Sequence, residues 1–199
     1  MPVIKRAKRI EGKQMNMKML NRLRRDSRGF SLIDLMISGT FIVLVSSFSM
    51  FFTSRALSSY RLESDARGIA TTLMMAKFRS ASQATSYRVV FDASSNSYSV
   101  QRSSGSGFAN EGSSISLSQN IVLSSAGLAS APVEPCGISG QSGSVAFNVR
   151  GLPIDASGSP TPNNAIYLNN AEGERFAVTV SLAGHVQTWK WNGSGWVLQ

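Results

Sequence analysis

Few side chains of this chain could do chemistry, and they fall into three groups. The first is a carboxylate where carboxylates are costly. Asp34 is the only charge in a run of 23 residues, FSLIDLMISGTFIVLVSSFSMFF, at positions 30–52. A charged side chain at the centre of a bilayer costs about 2.5–3.5 kcal/mol on insertion scales, so such a group is by default functional and its natural partner is a cation. The second group is Lys190 beside Trp189, Trp191 and Trp196. A cation near stacking surfaces is the combination that single-strand nucleic-acid binders use. The third is a scattered set: His185, Cys136, Gly105-Ser106-Gly107, Asp155, Glu172 and Glu174. His185 has no Ser or Asp partner at a recognisable spacing, and the Gly-Ser-Gly lies in a low-complexity stretch rather than a strand-turn-helix elbow. No EF-hand-like ladder surrounds the acids, and one cysteine supplies neither an intrachain disulfide nor a Cys-based zinc cluster. No catalytic group, metal or cofactor is expected.

These groups must be positioned by 199 residues, a length that suits one globular domain with an appendage. The formal charge of +9 would ordinarily point to nucleic acid or an anionic surface. Its location changes that reading. Residues 1–29 hold ten of the 20 basic residues and two of the 11 acidic ones, which leaves about +1 on the other 170. A basic head followed by 23 apolar residues fits a membrane span, since about 20 helical residues cross a hydrocarbon core of roughly 30 Å. The Ser and Thr hydroxyls within it can bond back to the preceding helical turn. By the positive-inside bias, residues 1–29 stay in the cytoplasm and the bulk of the protein lies outside it.

A cleavable secretory signal is the competing reading. Against it stand an apolar run longer than the usual 7–15 residues or so and the absence of an A-x-A-like site after Phe52 before the chain becomes charged and helical.

Beyond the span, residues 53–84 contain no Pro and one Gly. Apolar residues recur at Ala56/Leu57, Tyr60, Ala66, Ile69/Ala70, Leu73/Met74, Phe78 and Ala81, close to a 3.6-residue period. A single helix from Phe30 to near Ser82 would be roughly 80 Å long, its outer half burying one stripe against a head. Met74, Met75, Leu73 and Phe78 are expected in that core. Arg61, Glu63, Asp65 and Arg67 are expected on a solvated or subunit-facing charged face.

After residue 84 the composition turns to Ser, Gly and Asn with short β-branched and aromatic runs, which suits an all-β head. Strands are expected at 87–92, 97–102, 114–118, 120–124, 144–150, 165–169, 175–182, 185–191 and 196–198. Tight connections such as Ala183-Gly184 imply antiparallel hairpins. The stretches 103–112 and 124–143 read as loops, mobile or ordered by a partner. The expected domains are therefore 1–29, 30–52, 53–84 and 85–199.

The junction Arg28-Gly29-Phe30-Ser31-Leu32-Ile33-Asp34-Leu35-Met36-Ile37 resembles the class III signal of type IV prepilins and pseudopilins. That class has a basic leader ending in Gly, then Phe, a small hydroxyl residue, aliphatic residues, and an acid fifth after the cut. The resemblance implies cleavage between Gly29 and Phe30 by a prepilin peptidase and methylation of the new amino terminus on Phe30. It also implies assembly of the apolar helix with other pilins or pseudopilins, Asp34 neutralising a neighbouring subunit's terminal amine. The usual residue there is Glu; this chain has the shorter Asp. Met15, Met17 and Met19 lie within the leader, and a start at Met17 would still leave a basic leader, MKMLNRLRRDSRG.

The head resembles the GspH/FimT family of minor pilins and pseudopilins at Leu73 to Ser82, at Val145-Ala146-Phe147-Asn148-Val149-Arg150-Gly151, and at the closing hairpin from Phe176 to Val186. The fold this implies is α+β and type IV pilin-like: a long N-terminal helix, transmembrane in its first half, packed on a small antiparallel β-sheet head in the periplasm. The function it implies is structural, as a subunit of a type II secretion pseudopilus or a type IV pilus in the inner membrane. The alternative is a DNA-binding minor pilin for DNA uptake, with Lys190 and Trp191 as the nucleic-acid contacts. Two features count against it. A mature charge of about +1 supplies little attraction for phosphate. Gly184-His185 also stands where the family often has Gly-Arg.

Overall fold

In the computed structural model the described residues are 31–105, 107–128, 130–132, 140–160 and 164–199, with the backbone alone given at 49–52. The described chain opens on one helix, α1 (Leu32–Ser82), of 51 residues. Its start is fixed by Ser31, whose carbonyl accepts from the amides of Asp34 (2.9 Å) and Leu35 (3.2 Å). Asp34 in the first turn complements the positive end of the helix dipole. The hydroxyls in the apolar part behave as their chemistry requires. Thr40 donates to the Met36 carbonyl at 2.7 Å, Ser46 to Ile42 at 2.7 Å and Ser47 to Val43 at 2.8 Å, so these three hydroxyl protons have acceptors within the helix. At the other end the amide of Thr85 reaches back to the Ser80 carbonyl at 3.3 Å, while Ala84 adopts a left-handed φ of 48°. That is a Schellman-type stop made without glycine.

Among the described residues eleven strands follow: β1 (Tyr87–Asp92), β2 (Ser97–Ser103), β3 (Phe108–Asn110), β4 (Ile115–Ser116), β5 (Ile121–Leu123), β6 (Ser144–Phe147), β7 (Pro153–Ile154), β8 (Asn164–Asn170), β9 (Arg175–Val180), β10 (Val186–Trp191) and β11 (Trp196–Leu198). They form two antiparallel sheets. The first has the order β3-β2-β1-β6-β7, with β4 also pairing β2; the second is β11-β10-β9-β8-β5. The expected strands are there, most of them shorter than the sequence pattern suggests. β3 and β7 are additions, β3 falling inside a stretch read as loop.

The chain divides into two compact units, residues Met1–Phe51 and Phe52–Gln199. In the first, every described side chain from Ser31 to Phe48 is exposed. In the second, the outer part of α1 and the inner faces of both sheets share one core. Leu62, Ala66, Ile69, Ala70, Leu73 and Ala76 come from the helix, Tyr87, Val89, Val145 and Phe147 from the first sheet, and Ile166, Leu168, Phe176 and Val178 from the second. Fully burying one of the larger side chains contributes about 1.5–3 kcal/mol, so this cluster is the principal source of stability for the unit. The three alanines on the buried stripe let the sheets approach the helix backbone.

The expectation for the helical stripe is half right. Leu73 is buried, but Met74 and Met75 are 42% exposed and Phe78 is 69% exposed. At roughly 100° per residue, Phe78 stands about 140° round the helix from Leu73 and cannot reach the same core. The buried face is instead carried by Leu62, small residues and Ser80. Asp65 also departs from the expected solvated face: its carboxylate accepts from the Ser118 amide (2.8 Å) and hydroxyl (3.0 Å), tying the helix to the turn before β5. Glu63 and Arg67 pair with each other along the helix at 2.5 Å.

Candidate assembly interface

Gly29 and Phe30, the expected cleavage and methylation positions, lie outside the described residues, as does Cys136. Asp34 is described. It sits in the first turn of α1, exposed, and its carboxylate has no hydrogen bond or ion pair among the described residues. Around it stand Leu32, Ile33, Leu35, Met36 and Ile37, each more than half exposed. The apolar stretch that follows makes α1 long and apolar enough to cross a membrane. An anion flanked by exposed aliphatic side chains can do one thing well: attract a cation presented by another apolar surface, where low dielectric strengthens the pairing.

In the Phe52–Gln199 unit a second apolar surface runs along the exposed side of α1. Leu57 and Tyr60 lie three residues apart, Tyr60 being 71% exposed, and Met74, Met75 and Phe78 form a second exposed apolar group further along the helix. Sequence reasoning placed several of these in the core, and only the phase of the buried stripe distinguishes the two faces.

Lys190 and Trp191 are neighbours in β10 and therefore point to opposite faces of the second sheet. Lys190 shares the face of Val186, and its Nζ lies 5.5 Å from the centroid of the Phe176 ring. Trp189 and Trp191 face the other way. There Trp189, Ala165, Tyr167 and Ala177 form a small second core, with Leu128 and Trp196 packed against it. The Trp189 indole N–H donates to the Thr179 hydroxyl at 2.9 Å, and the Trp196 indole N–H to the Ser130 carbonyl at 2.8 Å. Trp191 meets Trp196 edge-on at 5.5 Å. Burial in this cluster pushes the Tyr167 phenol up to about 12. The tryptophans are thus occupied in packing and the cation is on the far side of the strand from two of them.

The described parts of 124–143 are tied down rather than free. Ser124 and Ser142 donate their amides to the carbonyls of Tyr167 and Ala165 along the edge of β8, and Arg175 donates to the Gly127 carbonyl. His185 is exposed at the end of the β9–β10 turn, its amide held by the Ser181 hydroxyl at 3.1 Å. Among the described residues no group of three or more His, Cys, Asp or Glu side chains is arranged to hold a metal.

No family model matches this chain, and no curated protein matches it. The solved structures it is similar to include a minor pseudopilin and a type IV minor pilin. One is the minor pseudopilin EpsH from the Type 2 Secretion System of Vibrio cholerae, at 11% identity over 64% of this chain and 95% of that one, with a TM-score of 0.47. The other is the type IV minor pilin FimU of Pseudomonas aeruginosa, at 15% identity over 73% of this chain and 96% of that one, with a TM-score of 0.48.

Proposed function

We propose that this chain is a minor pilin or pseudopilin, a non-enzymatic subunit of an inner-membrane filament of the type II secretion or type IV pilus kind. In this reading residues 1–29 are a leader removed by prepilin peptidase between Gly29 and Phe30. The new amino terminus on Phe30 is methylated, α1 anchors the subunit in the inner membrane, and the β-rich head lies in the periplasm. The observation that carries the reading is Asp34: one anion in the first turn of an otherwise uncharged apolar helix segment, the fifth residue after the junction, with no partner among the described residues. A neighbour's terminal amine is the cation that a processed copy or a related subunit would present at that depth.

The DNA-uptake alternative is supported less well, because Lys190 and Trp191 lie on opposite faces of β10 and the tryptophans are engaged in the hairpin. Mass spectrometry of the chain recovered from cells with working prepilin peptidase tests the main reading: a mature form beginning with methylated Phe30 is expected, and an uncut chain refutes it. The same purified protein in detergent should not shift DNA even at low salt.

A further inference from the structure

Where α1 ends, the first sheet continues, and the row of side chains that would have faced the helix changes character. Along β2 the inner face runs Tyr98, Val100, Arg102. Arg102 pairs directly with Tyr87 on one side and with Ala109 on the other, so these three side chains share that face. Tyr87 is fully buried; Arg102 is exposed and has no hydrogen bond or ion pair among the described residues. Exposed, its guanidinium pays no burial cost, and its fork of donors stays open to an anion from outside.

The space in front of this row is a cleft of about 480 Å³, within the range of small-molecule sites. Acceptors line it as well. Glu111 is held by Arg79 at 2.8 Å, and Gln83 takes the Tyr87 phenol proton at 2.8 Å through its Oε1. Burial first, then the nearby Glu111 carboxylate, holds that phenol above its usual range, so it stays a neutral donor. The cleft therefore offers an unpaired guanidinium together with an ion-paired carboxylate and an amide oxygen. A phosphodiester chain would need several cations, and the lining supplies one unpaired guanidinium. A planar carboxylate matches a single guanidinium fork, Arg79 already answers the charge of Glu111, and amide or hydroxyl donors on the same molecule would satisfy the acceptors.

We propose that this cleft binds the carboxylate group of a small polar ligand, held by Arg102 in a lining that also carries Glu111 and Gln83. The chemistry is that of a peptide C-terminus or of an acidic sugar, both available to an extracytoplasmic head. The inference does not depend on filament assembly.

The test is titration of the full-length ¹⁵N-labelled chain in detergent micelles, followed by amide shifts at Ser104, Ala109 and Glu111. Triglycine against its C-terminal amide probes the peptide source, and glucuronate against glucose the sugar source. Saturable shifts with either acid, absent with its neutral counterpart, are the expected result, and the pair that responds identifies the source. Arg102→Gln should weaken binding by about tenfold, the loss of a charge-assisted bidentate contact. Ala109→Leu, which fills the cleft from an exposed edge strand, should abolish it, while Arg150→Gln should leave it unchanged. No shift with either acid, equal shifts with the neutral counterparts, or undiminished binding in Arg102→Gln would overturn the proposal.

Discussion

The Nζ of Lys77 donates a 2.7 Å hydrogen bond to the carbonyl of Gly184, and the stem of the same side chain lies against Gly151. One lysine near the end of α1 thus holds two turns: the β6–β7 turn of the first sheet and the β9–β10 turn of the second. Gly184 is buried with φ 72°, and a Cβ there would stand 2.8 Å from the Gly151 carbonyl oxygen. The glycine of the closing hairpin is therefore required for space as well as for backbone conformation.

Gly184→Ala should cost about 2–4 kcal/mol, combining left-handed strain with a backbone clash that cannot relax. Gly158 supplies the control, since it has φ 84° with nothing within 4 Å of an added Cβ. Gly158→Ala should cost about 1–2 kcal/mol, the backbone strain alone. Urea unfolding of the full chain in micelles, followed by tryptophan fluorescence, reads both; equal losses would show that the close approach to Gly151 is unimportant.

Ala84 is the converse case. It occupies the left-handed position after the last helical residue with φ 48° and is exposed, so its Cβ is strained and makes no core contact in return. Ala84→Gly should stabilise the chain by about 1 kcal/mol, because glycine adopts that conformation without steric cost. A thermal melt with an unchanged or lowered midpoint contradicts the assignment of a Schellman-type stop.

The sequence and the structure agree where the physical signal is long and disagree where it is short or depends on phase. A proline-free stretch from Leu32 to Ser82, apolar at first and then apolar at helical spacing, carries the helix, while the alternating run Tyr87–Asp92 and the apolar-rich run Arg175–Val180 carry long strands. Phe108–Asn110 and Pro153–Ile154 are too short to show any period and become strands only because β2 and β6 offer free edges. Phe78 and Met74 look like core because they are apolar at helical spacing, yet the sheets select the face that carries Leu62, Ala66 and Ala70. Asp34 was legible from its isolation alone. The cleft at Arg102 was not, because it arises from the register of β1, β2 and β3 relative to the end of the helix.

Asp92 reports the acid side of stability. Hydrogen bonds from the Ser94 hydroxyl, then from the Ser95 hydroxyl and the Ser94 amide, lower its carboxyl from the ordinary 3.8 to about 2. The folded value lies below the unfolded one, so the contribution is complete above the unfolded value and is lost as the pH falls from about 4 to about 2. Asp92→Asn keeps an acceptor for the turn but does not titrate. Across that window its stability should fall less steeply than that of the parent, with the two curves nearly parallel above pH 5 or so. Parallel curves throughout would mean that the turn does not hold the charged form.

Asp34 can be tested for charge separately from shape. Asp34→Asn preserves the size and hydrogen-bonding reach of the side chain while removing the anion. It also lowers the cost of placing the segment in lipid, by up to about 2.5–3.5 kcal/mol if the carboxylate enters ionised. Poor incorporation of this variant into a filament or a subunit complex therefore could not be blamed on poor membrane insertion. If the carboxylate pairs with a neighbour's terminal amine, Asp34→Asn and Asp34→Ala should both co-purify with partner subunits far less than the parent, while their membrane-fraction levels stay equal. Asp34→Glu, which restores the longer acid usual at this position in the prepilin signal, should co-purify at least as well as the parent. Asn performing like Asp would mean that the position contributes a hydrogen bond and no ion pair, and the subunit contact proposed for this carboxylate would have to be abandoned.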